Sequence, residues 1–569
     1  MAEYKIGKVI GVSGDRIDII LLDEDEGGQF GVPEAMTINI DTKDGPQPVL
    51  IGQPGSFVKI RIPTGQLLCM VTDIHMKESP ILISESRNDE KEGRYPVDSP
   101  KRIISVVSIG TIDVAGNFEI GTDILPTVNS DANAVLNETI DNIYENYSAG
   151  NFSIGKLSLI PNQDAKINLD SFLSRHAAIL GQTGSGKSWT IASFLQNIAR
   201  FPKSTMLLFD LSGEYKDSFG DYCDYIDVAE LEFPYWLMNS EEIIGLMVDR
   251  SENAAPNQIA KFKELLQNAK EENDENKSLN LPKITIDTPV YFDFKNILDE
   301  FRRLDSEKVP GKNGEKQGPL FGNFTRLLMR IDSKFTDKRY NLIFHPERYT
   351  TSASMEDLFR RILGEKNKDP KKLVVVNMSS IPFDVRNSII SLILRCVFDF
   401  AYWYKRTNDT IYPIAVFCDE AHIYFNERET QNESARLSAE RIAKEGRKYG
   451  ISITVMSQRP REVSATILSQ CNTFMCLRIT NPDDQSYVKN LLPDSIRGIS
   501  NMFSTLRRGE CILLGDSVIM PTRIKISSPN PKPTSEDASF FGIWNSKHES
   551  VDFESILDGW RRQGYAKPS

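Results

Sequence analysis

One run of eight residues constrains this chain more than any other feature. Gly181-Gln182-Thr183-Gly184-Ser185-Gly186-Lys187-Ser188 fits the pattern G-x-x-x-x-G-K-[ST]. In that pattern the glycines let backbone N–H groups turn inward around phosphate oxygens. Lys187 reaches the β- and γ-phosphates, and the Ser188 hydroxyl can ligate Mg2+. A random chain of this length would show the pattern about 2 times in 100 at ordinary residue frequencies, so its flanks have to decide. The loop follows an apolar run, Ala177-Ala178-Ile179-Leu180, and precedes Ile191, Phe194, Leu195 and Ile198 at the i, i+3, i+4, i+7 spacing of a helix, with Pro202 closing that region. Strand, loop and helix in this order are the setting a phosphate cradle requires. They predict an α/β core that takes ATP with Mg2+.

Such a core needs acids at the same edge of the sheet. Pro413-Ile414-Ala415-Val416-Phe417-Cys418 is an apolar strand ending in Asp419-Glu420, and the C-terminal ends of strands form the ligand edge of an open α/β sheet. Asp419 is placed to hold Mg2+, directly or through water, and Glu420 to orient and polarise the attacking water of phosphoryl transfer. A further apolar run, 451–456, ends in Ser457-Gln458-Arg459-Pro460; Gln458 is the candidate to touch the γ-phosphate or the water. Between them lies a basic helix end, 440–450. It reads either as positive charge complementing a helix C-terminus or, through Arg447, as a γ-phosphate sensor.

Around this core the texture changes. Residues 1–150 carry short β-branched runs split by Gly, Pro and Asp, which predict a small β-barrel. Residues 151–526 read as the ATPase core, with strands expected at 177–180, 205–209, 373–377, 414–418, 452–456 and 473–478. The alternation stops between about 230 and 370, where leucine-spaced helical patterns and charge runs such as Lys270-Glu271-Glu272-Asn273-Asp274-Glu275 predict a helical insertion with solvated charged faces. A Pro/Ser-rich stretch opens 527–569 as a linker, followed by a helix with Val551, Phe553, Ile556, Leu557 and Trp560 on one face.

Composition bounds the rest. Apolar residues at 40% and charged residues at 26% suit an ordinary core-forming protein. The longest apolar stretch, 389–404, is interrupted by Arg395 and Asp399, so no membrane span is expected. The N-terminus has no apolar signal region, and seven scattered cysteines without a Cys-x-x-Cys pair fit free thiols in a reducing cytoplasm. No His/Cys group has zinc spacing. His176 reads as structural and His422 as a neighbour of the acids. Cys471 and Cys476 read as packed in or near a strand, and the aromatic run 398–404 as core rather than as a base-stacking platform. The net charge of −12 argues against an open basic surface coating DNA, but not against a basic channel inside an acidic ring.

In their order, the blocks resemble the HerA branch of the FtsK/HerA ATPases. Those blocks are 175–188, Asp210-Leu211-Ser212-Gly213-Glu214-Tyr215, Asp419-Glu420-Ala421-His422, Glu445-Gly446-Arg447-Lys448-Tyr449-Gly450, Ser457-Gln458-Arg459-Pro460, 468–478 and Asn481-Pro482-Asp483-Asp484-Gln485. The resemblance implies a RecA-like core in a homohexamer, DNA threaded through the channel without base preference, and nucleotide at subunit interfaces. It also implies an arginine supplied in trans. Arg175 matches that finger and Arg447 a sensor arginine, with the two roles open to exchange. The barrel would be a docking platform, and 527–569 an arm bracing a neighbouring subunit. HerA-like proteins work with NurA-type nucleases in end processing, and beside nuclease or sirtuin-like effectors in antiphage defence. The expected function is an ATP-driven DNA translocase or helicase with such a partner; the alternative is an ATP-gated scaffold that assembles an effector without moving DNA.

Overall fold

Alternation of apolar and polar residues shapes the first 134 residues. In Arg16–Leu21 every second side chain is buried, and the inward set from neighbouring strands (Ile6, Val9, Ile17, Ile19, Val58, Ile60, Val71, Ile104 and Val106) fills one core. The sheet runs in the order Arg16–Leu21, Lys5–Ser13, Asp131–Ala134, Phe57–Ile62, Gly65–Lys77, Lys101–Asp113 and Phe118–Ile120. It closes because Arg16–Leu21 also pairs with Lys101–Asp113, Ile17 opposite Val106. Register shifts at Leu68/Cys69 and Val71/Asp73 bend the long strands enough to close it. Closure leaves few free edges, and the expected barrel is present.

The computed structural model describes residues 4–562 except 15, 25–29, 43–44, 78–100, 161–162, 312–313, 366–368, 382, 430–431, 535–538 and 546–550. The chain divides into two units. One gathers Met1–Arg200, Ala401–Thr430 and Ala439–Asn530; the other gathers Phe201–Phe400, Gln431–Ser438 and Pro531–Ser569.

The first unit holds the barrel and a mixed sheet. Ala177–Leu180 lies parallel between Ile451–Ser457 and Thr473–Cys476, and Ile414–Cys418 lies parallel outside Ile451–Ser457. All are wholly buried and mostly apolar, as strands covered on both faces are. Antiparallel strands extend the other side: Glu510–Gly515, Thr522–Ile526, Phe152–Leu157 and Asp164–Ile167. Sequence patterning missed this antiparallel wing, because its strands are short and alternate weakly. The barrel rests on the same unit: Arg523 Nη1 donates to Pro54 O at 3.1 Å, and Tyr144 and Thr522 share a hydroxyl hydrogen bond at 3.0 Å.

The second unit has its own parallel strands, Met206–Asp210 and Cys223–Asp227 on either side of Leu373–Asn377. Between them lie the expected helices, among them Ala255–Glu272, Phe294–Ser306 and Thr325–Thr336. One hairpin, Lys308–Gly311 with Gly314–Gln317, interrupts the helical run. The insertion packs around aromatic rings, with Phe301 and Phe324 at 4.8 Å and Phe335 and Phe344 at 4.5 Å between centroids.

Its charge run is only partly the solvated face expected. Glu271, Glu272 and Asp274 are exposed, but Lys270 is fully buried, with Nζ donating to the carbonyls of Ile286 and Thr288 at 2.8 Å each. Burial pulls its pKa down to about 8. The aromatic run 398–404 is likewise split. Phe398 and Ala401 are buried as expected, while Trp403 is 61% exposed because it falls on the outer face of the Phe383–Asn408 helix. Helices Phe540–Asn545 and Phe553–Arg562 close the described chain, and Phe541, Trp544, Phe553 and Trp560 lie exposed on them.

Candidate active site

The phosphate loop is held open by its backbone. Gly186 caps the Lys187–Ile198 helix at φ 106°, a left-handed conformation closed to residues with a Cβ without strain. A Cβ on Gly181 would meet Ser185 Oγ at 2.7 Å and Leu477 Cβ at 2.8 Å, so only glycine fits there. Inside the loop, Ser185 Oγ donates to Gln182 O at 2.6 Å, and Lys187 Nζ lies 3.4 Å from the same carbonyl. Lys187 is 8% exposed. Its amine is thus held over the loop's own backbone, where a phosphate oxygen would sit. Behind the loop, Phe194 of the helix packs on Phe172 at 4.7 Å, Phe152 at 5.5 Å and Phe417 at 6.1 Å. Phe417 belongs to the strand that ends at the acids, so one aromatic cluster ties the loop's helix to the Asp419-Glu420 strand.

The acids stand at the end of Ile414–Cys418. Asp419, 5% exposed, accepts the Glu420 N–H at 2.9 Å through Oδ1, and its carbonyl accepts Tyr424 OH at 2.7 Å. Glu420 itself sits at φ 47°, ψ 43°. A left-handed glutamate at a strand end costs about 1 kcal/mol or more and is held where a side chain must be aimed. His422 Nδ1 lies 3.3 Å from Glu420 Oε2. Burial, outweighing Glu462 and assisted by the charges of Arg459 and Lys187, pulls the His422 pKa down to about 4, so its ring is neutral beside the carboxylate. Next along the sheet, Gln458 accepts a hydrogen bond from Thr183 Oγ1 of the loop. Gln182 Oε1 accepts the N–H of Thr480 at 3.1 Å, fastening the loop to the segment after Thr473–Cys476.

Strand register sorts the remaining candidates. Leu180 lies opposite Ser457, and Cys418 opposite Val455, so the phosphate loop, Asp419-Glu420 and Gln458 all leave from the same, C-terminal edge. Arg175 precedes the Ala177–Leu180 strand, and Arg447 precedes Ile451–Ser457; both lie at the N-terminal edge. A strand rise of about 3.3 Å per residue separates each from the phosphate loop by roughly 13–20 Å. The structure therefore brings together Lys187, Ser188, Asp419, Glu420 and Gln458, and does not bring Arg175 or Arg447 to them. Arg175 instead pairs with Asp516, which also accepts Asn472 Nδ2 at 2.9 Å. Arg447 is exposed on the turn Gly446–Tyr449. His176 is structural as expected: its buried Nδ1 accepts the Ile453 N–H at 3.1 Å.

Ser188 and Asp419 offer a hydroxyl and a carboxylate, hard oxygen donors of the kind Mg2+ takes one or two of while keeping water and phosphate oxygens for the rest. The donor set fits that ion. What the sequence did not reveal are the ties between blocks: Thr183 to Gln458 and Gln182 to Thr480. Each joins residues far apart in the chain, and no local pattern announces them.

Comparison with known proteins agrees with the geometry. A family model described as the central domain of helicase HerA matches residues 152–397. The DNA double-strand break repair helicase HerA of Saccharolobus solfataricus is 26% identical over 509 residues, covering 89% of this chain and 93% of that protein. Its counterpart from Sulfolobus acidocaldarius is 28% identical over 444 residues, covering 77% and 81%. Among solved structures, the plasmid coupling protein TrwB in complex with a non-hydrolysable ATP analogue aligns over 67% of this chain and 92% of its own, at 13% identity and a TM-score of 0.41. With the phosphate loop, the acid pair and Gln458 on one sheet edge, and with relatives matching along most of its length, this chain is similar to the HerA-like P-loop ATPases.

Proposed function

We propose that this ATPase is a DNA translocase that works as a hexameric ring and hands DNA to a nuclease or other effector docked on its barrel. The observation that carries the assembly is the division of charge across the sheet: the acids and phosphate loop on one edge, Arg175 and Arg447 on the other. An arginine at the N-terminal edge cannot reach a nucleotide held at the C-terminal edge of its own chain. It can reach one only on a neighbouring copy, as trans-acting fingers do. In this reading Lys187 grips the β- and γ-phosphates, and Glu420, aimed by its left-handed backbone and flanked by neutral His422, orients and polarises the water. Gln458, tied to the loop by Thr183, reports the γ-phosphate to the strand behind it. Ser188 and Asp419 would hold Mg2+, which when bound neutralises charge on the phosphates. The names of the relatives support DNA as the substrate, and the acidic net charge favours a confined channel over an open DNA-binding surface.

The test measures ATP hydrolysis by the full chain with and without linear duplex DNA, together with ATP-driven displacement of a third strand from a triplex. DNA should stimulate turnover, the third strand should be displaced, and Lys187→Ala should abolish both. Turnover indifferent to DNA with no displacement would leave the scaffold as the better reading.

A further inference from the structure

A nucleotide on this loop must leave past the first turn of the Lys187–Ile198 helix, because its β- and γ-phosphates are taken by the loop and its α-phosphate faces the helix start. The residue waiting there is Trp189, half-buried, immediately after Ser188. Over its indole ring lies the guanidinium of Arg508, 5.8 Å from the ring centroid. Arg508 comes from a distant part of the chain, the turn before Glu510–Gly515, and that turn is fastened to the phosphate loop. Gly509 N–H donates to Ser185 O at 3.0 Å, and a Cβ on Gly186 would meet Gly509 N at 3.3 Å. The turn is also closed on itself: Glu510 N–H donates to Arg507 O at 3.0 Å, and Arg507 N–H to Glu510 Oε2 at 2.9 Å. Arg508 is exposed, so a guanidinium face with indole behind it is presented to solvent beside the nucleotide's exit, on a turn whose backbone is tied to the phosphate loop.

We propose that Trp189 and Arg508 form the platform for the nucleotide base, a role that rests on the phosphate-cradle reading above. A planar, weakly hydrated guanidinium stacks on an aromatic base, and the indole lies within cation–π range on its other side. Stacking reads the area of a π-face rather than the donors on its edge. The platform therefore holds ATP and GTP alike and pyrimidine nucleotides less tightly.

The test uses calorimetric binding to the full chain of three probes: AMPPNP, its guanosine counterpart and inorganic tripolyphosphate. Arg508→Ala should weaken both nucleotides by about tenfold or more and leave tripolyphosphate unchanged. Arg508→Lys, which keeps the charge and loses the plane, should do the same. Unchanged nucleotide affinity in Arg508→Ala overturns the platform, as does an equal loss on tripolyphosphate, which would make Arg508 a phosphate contact. A wild-type chain that fails to bind tripolyphosphate at all overturns the cradle and the platform together, so the two failures are told apart.

Discussion

At the scale of single residues, burial holds a core histidine in one protonation state. His176 sits at φ 56° with its Nδ1 accepting from Ile453. Burial, only partly offset by a backbone hydrogen bond, pulls its pKa down to about 4. Protonation would break the Nδ1 bond and leave a charge in the core. The folded value lies below the unfolded one of about 6.5, so the unfolded chain binds the extra proton first as pH falls. Stability from His176 is therefore present above about pH 6.5 and is lost on the way down to about pH 4. At pH 5 the loss is about 2 kcal/mol for such a shift. His176→Gln, which keeps an acceptor and removes the titration, should flatten that part of the curve. Urea midpoints of the two proteins at pH 7.5 and pH 5 check this; parallel losses would remove His176 as a cause.

At the scale of elements, the parallel strands work as spacers between two sets of loops. Apolar residues bury them on both faces, and what remains accessible is the loop leaving each end. The C-terminal loops carry Lys187, Asp419, Glu420 and Gln458, and the N-terminal loops carry Arg175 and Arg447. If an arginine completes a neighbour's site, Arg175→Ala mixed with Glu420→Gln should recover turnover that neither variant has alone. Only in mixed rings does an intact arginine face an intact glutamate. The same experiment with Arg447→Ala identifies which arginine acts, because a finger is worth about 10³–10⁵ in rate and its loss is not masked by background. ATPase assays across mixing ratios give the readout. No recovery with either arginine would place the catalytic cation elsewhere.

At the scale of the whole molecule, barrel and core are not separable pieces. Arg523, whose guanidinium donates to Pro54 O, also pairs at 2.7 Å with Glu510 in a nearly buried bridge, and Gly55 packs within reach of Met502. Deleting residues 1–134 would uncover these contacts, so the truncated chain should melt at a lower temperature than the full one, by scanning fluorimetry. Loss of partner capture in the truncated form would then be uninformative. Paired charges on the barrel's exposed residues Val114 and Ile120, 91% and 65% accessible, avoid that problem. Val114→Glu with Ile120→Glu should leave melting and ATP turnover unchanged while weakening capture of a docked partner in co-purification. Charge reversals in the acidic run Asp23-Glu24-Asp25-Glu26 are a further choice, although residues 25 and 26 lie outside the described residues.

The phosphate loop, its strand and helix, and the Asp419-Glu420 strand end were legible in the sequence, because each is specified locally: glycines where a Cβ cannot fit, apolar runs where both faces are covered, and acids where a strand stops. The barrel and the helical insertion were legible in kind for the same reason, since periodicity of 2 or 3.6 records burial residue by residue. The antiparallel wing was not legible, because short strands such as Asp164–Ile167 gain their burial from partners far along the chain. Lys270 was misread as solvated, since nothing in a charge run tells that two carbonyls, those of Ile286 and Thr288, will close over its amine. Which edge of the sheet each arginine occupies, and that Arg508 lies over Trp189, were decided only by tertiary structure. Strand register and long-range hydrogen bonds set those positions, and they join residues that the sequence keeps hundreds of positions apart.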